Sequence, residues 1–128
     1  MTRPEAGDRD RAPALLVDDD DDVARVFVRA LERAGFDVHR ARTGTEALAL
    51  VSHVERLDAA IVDLVLPGAG GLDVVRRIRA RSPACRIVAV TGLSDATVER
   101  AFRDAGADTF LAKPVDLKQL LDAVRPRS

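Results

Sequence analysis

Ala59-Ala60-Ile61-Val62-Asp63-Leu64 is an apolar run interrupted once, by an aspartate next to its end. Strands with one wet face alternate apolar and polar residues, whereas strands covered on both faces read as continuous apolar runs, the mark of a parallel sheet between helices. The run therefore predicts a buried parallel strand that carries a carboxylate at its carboxyl end. Pro67, Gly68, Gly70 and Gly71 follow it and read as a loop.

Outward from this strand, short apolar runs alternate with helix-period segments, five times in all, as a series of βα units would. Towards the N-terminus, Ala14 to Val17 forms a first strand, and the helix after it puts Val23, Val26, Phe27, Ala30, Leu31 and Ala34 on one face before Gly35 stops it. A second strand, Asp37 to Ala41, precedes a helix opened by Thr43 with Glu46 three residues later, a capping-box spacing. That helix turns Ala47, Leu48, Val51 and Val54 inward. Beyond the loop, a helix buries Leu72, Val75 and Ile78, and Ile87 to Val90 forms the fourth strand. A helix with Val98, Ala101, Phe102 and Ala105 inward ends at Gly106, and Thr109 to Ala112 forms the fifth strand. The last helix is capped by Asp116 and buries Leu117, Leu120, Leu121 and Val124 before Pro126. Residues 1–12 mix charges with Pro and Gly and predict a disordered arm, leaving a domain over 13–125 and a tail over 126–128.

A chain of 128 residues supports one ordinary core. No apolar run approaches the roughly 20 residues of a membrane span. No basic segment precedes an apolar one near Met1, and the single Cys85 reads as a small apolar residue, so a cytoplasmic protein is expected. The net charge of −1 conceals five consecutive carboxylates, Asp18 to Asp22. Near-neutral charge, with no Trp and no Tyr, argues against direct nucleic-acid binding.

Polar residues fall where each apolar run stops: Asp18 and Asp19, Asp63, Thr91 and Lys113. In an open doubly wound sheet these carboxyl ends share one edge, where ligands bind. Three carboxylates suit a hard cation, and one ammonium suits a phosphoryl oxygen. The all-oxygen set fits magnesium better than zinc. Without a cation, two carboxylates about 4 Å apart repel by about 4 kcal/mol at an effective dielectric near 20, so ion binding relieves strain. A carboxylate can also attack phosphorus, and Asp63, the lone acid on a buried strand, is the candidate nucleophile.

Leu15-Leu16-Val17-Asp18-Asp19-Asp20, Ile61-Val62-Asp63-Leu64 with Pro67 and Gly71, Val88-Ala89-Val90-Thr91-Gly92, and Phe110-Leu111-Ala112-Lys113-Pro114 together resemble the receiver domain of bacterial two-component response regulators. The resemblance implies a flavodoxin-like (βα)5 three-layer sandwich, α/β and doubly wound, with a five-stranded parallel sheet of order 2-1-3-4-5. It implies that Asp63 accepts phosphate from a sensor histidine kinase or a histidine phosphotransfer protein. Asp18, Asp19, Asp63 and the backbone carbonyl of Val65 would hold Mg2+. Lys113 would bind one phosphoryl oxygen, and Thr91 would move to hydrogen-bond another. Phe110 would then turn inward, changing the surface of the fourth helix, fifth strand and fifth helix. That surface would engage a downstream protein target, an output domain beyond this chain, or a second copy as a homodimer. Such a protein is a signalling switch and not an enzyme, apart from supporting its own phosphorylation and slow autodephosphorylation. In the family, the peptide at Lys113-Pro114 is usually cis.

Departures from the family pattern carry expectations of their own. Val65 and Leu93 are apolar where many relatives place polar groups that position the hydrolytic water, so slow dephosphorylation is expected. Gly70 replaces a common acidic residue and Gly92 a usual Ala, which predicts a looser loop system. Asp20, Asp21 and Asp22 suit a helix N-terminus, with no metal role needed for the last two. His39 and His53 read as surface residues, and Arg76, Arg77, Arg79 and Arg81 as a solvated helix face or a docking surface.

Asp19 to Val23 also fits an Asp-x-Asp-x-Val pattern similar to haloacid-dehalogenase phosphatases, but only Asp116 and Asp122 follow Lys113 where that family needs a further acidic motif. An EF-hand fails because Val23 and Arg29 stand where its loop needs Gly and Glu. The rival that survives is a pseudo-receiver, a phosphorylation-independent protein-interaction module on the same fold.

Overall fold

The computed structural model describes residues 11–65, 70–92 and 95–125. Five strands, β1 (Ala12–Val17), β2 (Phe36–Ala41), β3 (Ala59–Asp63), β4 (Arg86–Thr91) and β5 (Thr109–Ala112), alternate with five helices. These are α1 (Asp21–Arg33), α2 (Gly44–His53), α3 (Gly71–Arg81), α4 (Ala96–Ala105) and α5 (Leu117–Val124). All strand pairs are parallel, in the order β2-β1-β3-β4-β5. This is the parallel sheet expected from the apolar runs, in the doubly wound order that the resemblance implies.

The period-2 alternation of the central strands feeds two cores. Leu15, Val17, Ala60, Val62, Ile87 and Ala89 face the side covered by Ala47 and Val51 of α2, Val74, Val75 and Ile78 of α3, and Phe102 of α4. Leu16, Ile61, Val88 and Val90 face the other side, covered by Ala24, Phe27 and Leu31 of α1 and by Leu120 and Val124 of α5. All five residues of β3 are buried, as a strand covered on both faces must be. The free thiol of Cys85 is buried, which pushes its pKa up to about 12.

Helix ends follow the expected chemistry. Thr43 Oγ1 accepts the Glu46 N–H, while Glu46 reaches back one residue beyond the cap, to the Arg42 N–H. Asp20, Asp95 and Asp116 cap α1, α4 and α5. Gly35 and Gly106, both with positive φ, follow α1 and α4.

Three expectations are corrected. The arm does not reach residue 12: β1 begins at Ala12, and the Arg11 guanidinium donates to the Glu32 and Phe36 carbonyls. Residues 1–10, the tail over 126–128 and the loop positions Pro67, Gly68 and Leu93 lie outside the described residues. Strand β3 ends at Asp63, with Leu64 already in the turn. Arg79 does not belong to a solvated helix face, since its guanidinium donates to the Pro83, Cys85 and Gly106 carbonyls and pairs with Asp108 at 2.8 Å. Asp108 also accepts the Ile87 N–H, so the pair ties α3 to the amino ends of β4 and β5. Gly106, at φ 124°, lies against Arg79, where an added Cβ would come within 3.0 Å of the side chain.

Charge-assisted hydrogen bonds of this kind are worth about 1.5–3 kcal/mol each, so Arg79→Met should lower unfolding free energy by about 2–3 kcal/mol. Urea denaturation followed by far-ultraviolet circular dichroism measures it. The substitution lies at the amino ends of the strands and is expected to leave cation binding at the carboxyl ends unchanged.

Candidate functional site

The chain winds outward from β1 to β2 and then returns past β1 to β3. The connections after β1 and β3 therefore diverge to opposite faces, opening a crevice at the carboxyl ends of these two strands. Asp18 and Asp19 leave β1 there, and Asp63 ends β3. One carboxylate oxygen from each lies within 4.8 Å of the others. Asp18 and Asp63 are 5% and 3% exposed, while Asp19 is open to solvent.

Each carboxylate is held by its own segment. Asp18 N–H donates to Ala41 O, and Asp18 Oδ1 accepts the Asp20 N–H at 2.9 Å. Asp63 Oδ1 accepts the Val65 N–H at 3.1 Å, and Asp63 Oδ2 accepts Lys113 Nζ at 2.7 Å. Lys113 follows β5 directly, its backbone N–H donates to Thr91 O at 2.8 Å, and its peptide to Pro114 is cis. Thr91, 5% exposed, ends β4. The register pairs it with Ala112 and pairs Asp63 with Val90, which brings all the expected polar residues to one edge. Phe110 lies further back on β5, half-buried, with the Arg103 guanidinium 5.1 Å from its ring centroid. Val65 is 67% exposed, with an apolar side chain in solvent beside the site.

The acidic run divides its labour. Asp20 caps α1 by accepting the Asp22 and Val23 N–H groups. Asp21 binds two arginines of the β2 end, Arg40 at 2.9 Å and Arg42 at 2.7 Å, and Asp22 pairs with Arg25. Asp18 and Asp19 alone of the five join Asp63. Arg40 and Arg42 were not singled out in the sequence, although two arginines closing the strand beside an acidic run are its natural counter-charge. His39 lies 3.8 Å from Asp37, and His53 contacts the Ala49 carbonyl, both away from the site.

Burial pushes the Asp18 carboxyl above its ordinary range, and the neighbouring Asp63 carboxylate adds to this against the Asp20 N–H and Lys113. The hydrogen bond to Asp63 raises the Lys113 ammonium. Arg42 and Arg40 lower the exposed Asp21. Beside the carboxylates, a cavity of about 540 Å³ is lined by Asp18, Asp19, Asp22, Val23, Lys113 and Pro114. The all-carboxylate donor set, largely removed from water and carrying only one ammonium, fits a hard divalent cation such as calcium or magnesium.

A carboxyl whose folded pKa is raised binds its proton more tightly when folded, so its ionisation opposes folding, and the full penalty applies above the folded pKa. Asn keeps the oxygen that accepts the Asp20 N–H. Asp18→Asn should thus raise the melting temperature of the metal-free protein at neutral pH, with a gain that shrinks as pH falls towards 3.8. The same change should remove most of the stabilisation that a divalent cation confers by binding only the folded state. Calorimetric melting with and without magnesium tests both.

Comparisons with known proteins identify the family and the fold. The response regulator receiver domain family matches residues 14–125. A cyclic di-GMP phosphodiesterase of Thermotoga maritima is 39% identical over 106 residues, 83% of this chain and 28% of that protein. The response regulator MprA of a Mycobacterium species is 37% identical over 111 residues, 87% of this chain and 48% of that one. The chain thus spans less than half the length of these relatives. A crystal structure of a response regulator from Burkholderia pseudomallei, with a phosphorylated aspartic acid, a calcium ion and citrate, superposes with a TM-score of 0.81 at 32% identity, covering 89% of this chain and 66% of that one. A CheY-like receiver domain from Methanospirillum hungatei gives 0.80 at 29% identity, covering 88% and 89%. The sheet order, the clustered carboxylates and the match across residues 14–125 agree: the chain belongs to the response regulator receiver domain family.

Proposed function

We propose that Asp63 is the phosphoacceptor of a two-component signalling switch, phosphorylated in a magnesium-dependent reaction by a sensor histidine kinase or a histidine phosphotransfer protein. The observation that carries this reading is the Asp63 carboxylate itself. It is nearly buried, hydrogen-bonded to Lys113 Nζ at 2.7 Å, and grouped with Asp18 and Asp19. A phosphoryl group brings more negative charge into a cluster that already repels itself. Asp18, Asp19, Asp63 and the Val65 carbonyl would hold magnesium, which would supply the positive charge that makes this tolerable.

The residues then have separate tasks. The Asp63 carboxylate forms an O–P bond as the N–P bond to the donor imidazole breaks, and because it attacks as an anion no base has to remove a proton. The Val65 N–H and Lys113 orient it beforehand. Afterwards Lys113 holds a phosphoryl oxygen, and the Thr91 hydroxyl moves to donate to another. Phe110 follows inward and leaves the Arg103 guanidinium, which alters the α4-β5-α5 surface. Phosphate shifts this equilibrium only by its differential contacts with the two states, made through Thr91 and Lys113. The altered surface engages a downstream protein, an output domain beyond this chain, or a second copy. The setting is the bacterial cytoplasm.

Val65 supports slow loss of the phosphoryl group. The residue is 67% exposed, and its side chain offers no polar atom to position a water against the acyl phosphate.

Intact mass after incubation with acetyl phosphate and magnesium tests the reading. A gain of roughly 80 Da, the mass of one phosphoryl group, is expected in the native protein and absent in Asp63→Asn and after chelation. The adduct should decay over hours, and a half-life under a minute without a phosphatase would contradict the role given to Val65. Failure to form any adduct with either small donors or a histidine kinase would leave the pseudo-receiver as the better account.

A further inference from the structure

The β1–β2 ladder ends at the pair Val17 and Ala41, so Asp18 is the first residue beyond it. Its N–H is still tied to β2 through Ala41 O, at 3.1 Å. Its carbonyl is tied to β2 by a side chain: Arg40 donates to Asp18 O from Nη2 at 2.8 Å and from Nε at 3.2 Å. The third arm of the same guanidinium, Nη1, holds Asp21 Oδ1 at 2.9 Å, and the side chain is only 22% exposed. Arg42 is different, contacting Asp21 at 2.7 Å with a side chain 55% exposed.

We propose that Arg40 is a positioning residue of the cation site, a planar fork that extends the β1–β2 ladder by one residue and fixes the Asp18-Asp19 backbone against Asp63. The inference rests on the cation-binding role proposed above. Its physical basis is the acidic run, in which adjacent carboxylates repel one another and favour an opened loop. The Arg40 fork holds both ends of the Asp18–Asp21 turn, at a backbone carbonyl and at a carboxylate, with the rigid bidentate geometry that a lysine cannot copy.

Positioning and simple charge compensation predict opposite signs. A cation of the protein beside a metal site repels the metal, so if Arg40 acted by charge alone, its removal would tighten magnesium binding. If it acts by position, its removal loosens binding, and outer-shell partners of metal ligands typically cost about 10–100-fold in affinity when lost.

Calorimetric titration of magnesium into the metal-free protein separates the two, with circular dichroism to establish folding. Arg40→Met, which keeps the aliphatic stem, and Arg40→Lys, which keeps the charge, should each weaken magnesium binding by about ten-fold or more. Arg42→Met, which removes an equal charge from Asp21 but leaves the Asp18 carbonyl braced, should bind magnesium as tightly as the native protein or more so. In the metal-free state the amide protons of Asp18 and Asp20 should exchange faster in Arg40→Lys. Arg40→Lys carries the test if Arg40→Met fails to fold. Native or tighter affinity in either Arg40 variant, or an equal loss in Arg42→Met, would overturn the proposal. Native protein that binds no magnesium would instead overturn the cation site itself, and this inference with it.

Discussion

Mutual repulsion of Asp18, Asp19 and Asp63, with oxygens inside 4.8 Å of one another, is the constraint around which the rest of the molecule is arranged. Two of the three are nearly removed from water, where like charges interact most strongly. A fold keeps such a cluster only if its surroundings hold the groups in place, and here they do. Lys113 neutralises Asp63, backbone N–H groups accept the task of orienting Asp18 and Asp63, and the remaining acids of the run are drawn off to the α1 N-terminus and to Arg25, Arg40 and Arg42. What is left is a deficit of positive charge at one spot, which a divalent cation fills.

The sheet supplies the rigidity that this requires. Asp63 sits at the end of a strand buried on both faces, and Asp18 and Thr91 extend from strands of the same kind, so none of the three can relax away from the others without disturbing a core. The two cores are separate but share the same strands, so the carboxyl edge is framed by helices on both sides. Lys113 reaches the cluster from β5, whose residues are only partly buried. The central carboxylates are thus fixed in stiff strands, while the ammonium that answers them arrives from the edge strand, together with Phe110. In the proposed switch, a phosphoryl group that recruits Lys113 would pull on an edge strand whose residues are only partly buried.

Much of this was legible in the sequence because it depends on local pattern. Continuous apolar runs identified the parallel strands, polar residues at their ends marked the site edge, and Asp20, Thr43 and Asp116 signalled helix starts through their own side-chain chemistry. What escaped depends on contacts distant in sequence. Arg40 touches Asp18 across 22 positions, and Arg79 touches Gly106 across 27. Neither residue looks different from the many other arginines of the chain until the fold brings its partner near. The β1 start was misplaced for the same reason: Arg11 and Ala12 look like the charged arm, yet the Glu32 and Phe36 carbonyls capture the Arg11 guanidinium and the Gly35 carbonyl captures the Ala12 N–H.

The central claim is that a cation and then a phosphoryl group complete one electrostatic cluster and that the edge strand responds. Amide nitrogen-15 spectra recorded with magnesium, and then with added acetyl phosphate, test it most directly. The account predicts that magnesium moves the signals of Asp18, Asp19 and Val65, and that phosphorylation then moves those of Thr91, Phe110 and Lys113. Spectra in which magnesium leaves the first group unchanged, or in which phosphorylation leaves the second group where it was, would contradict it.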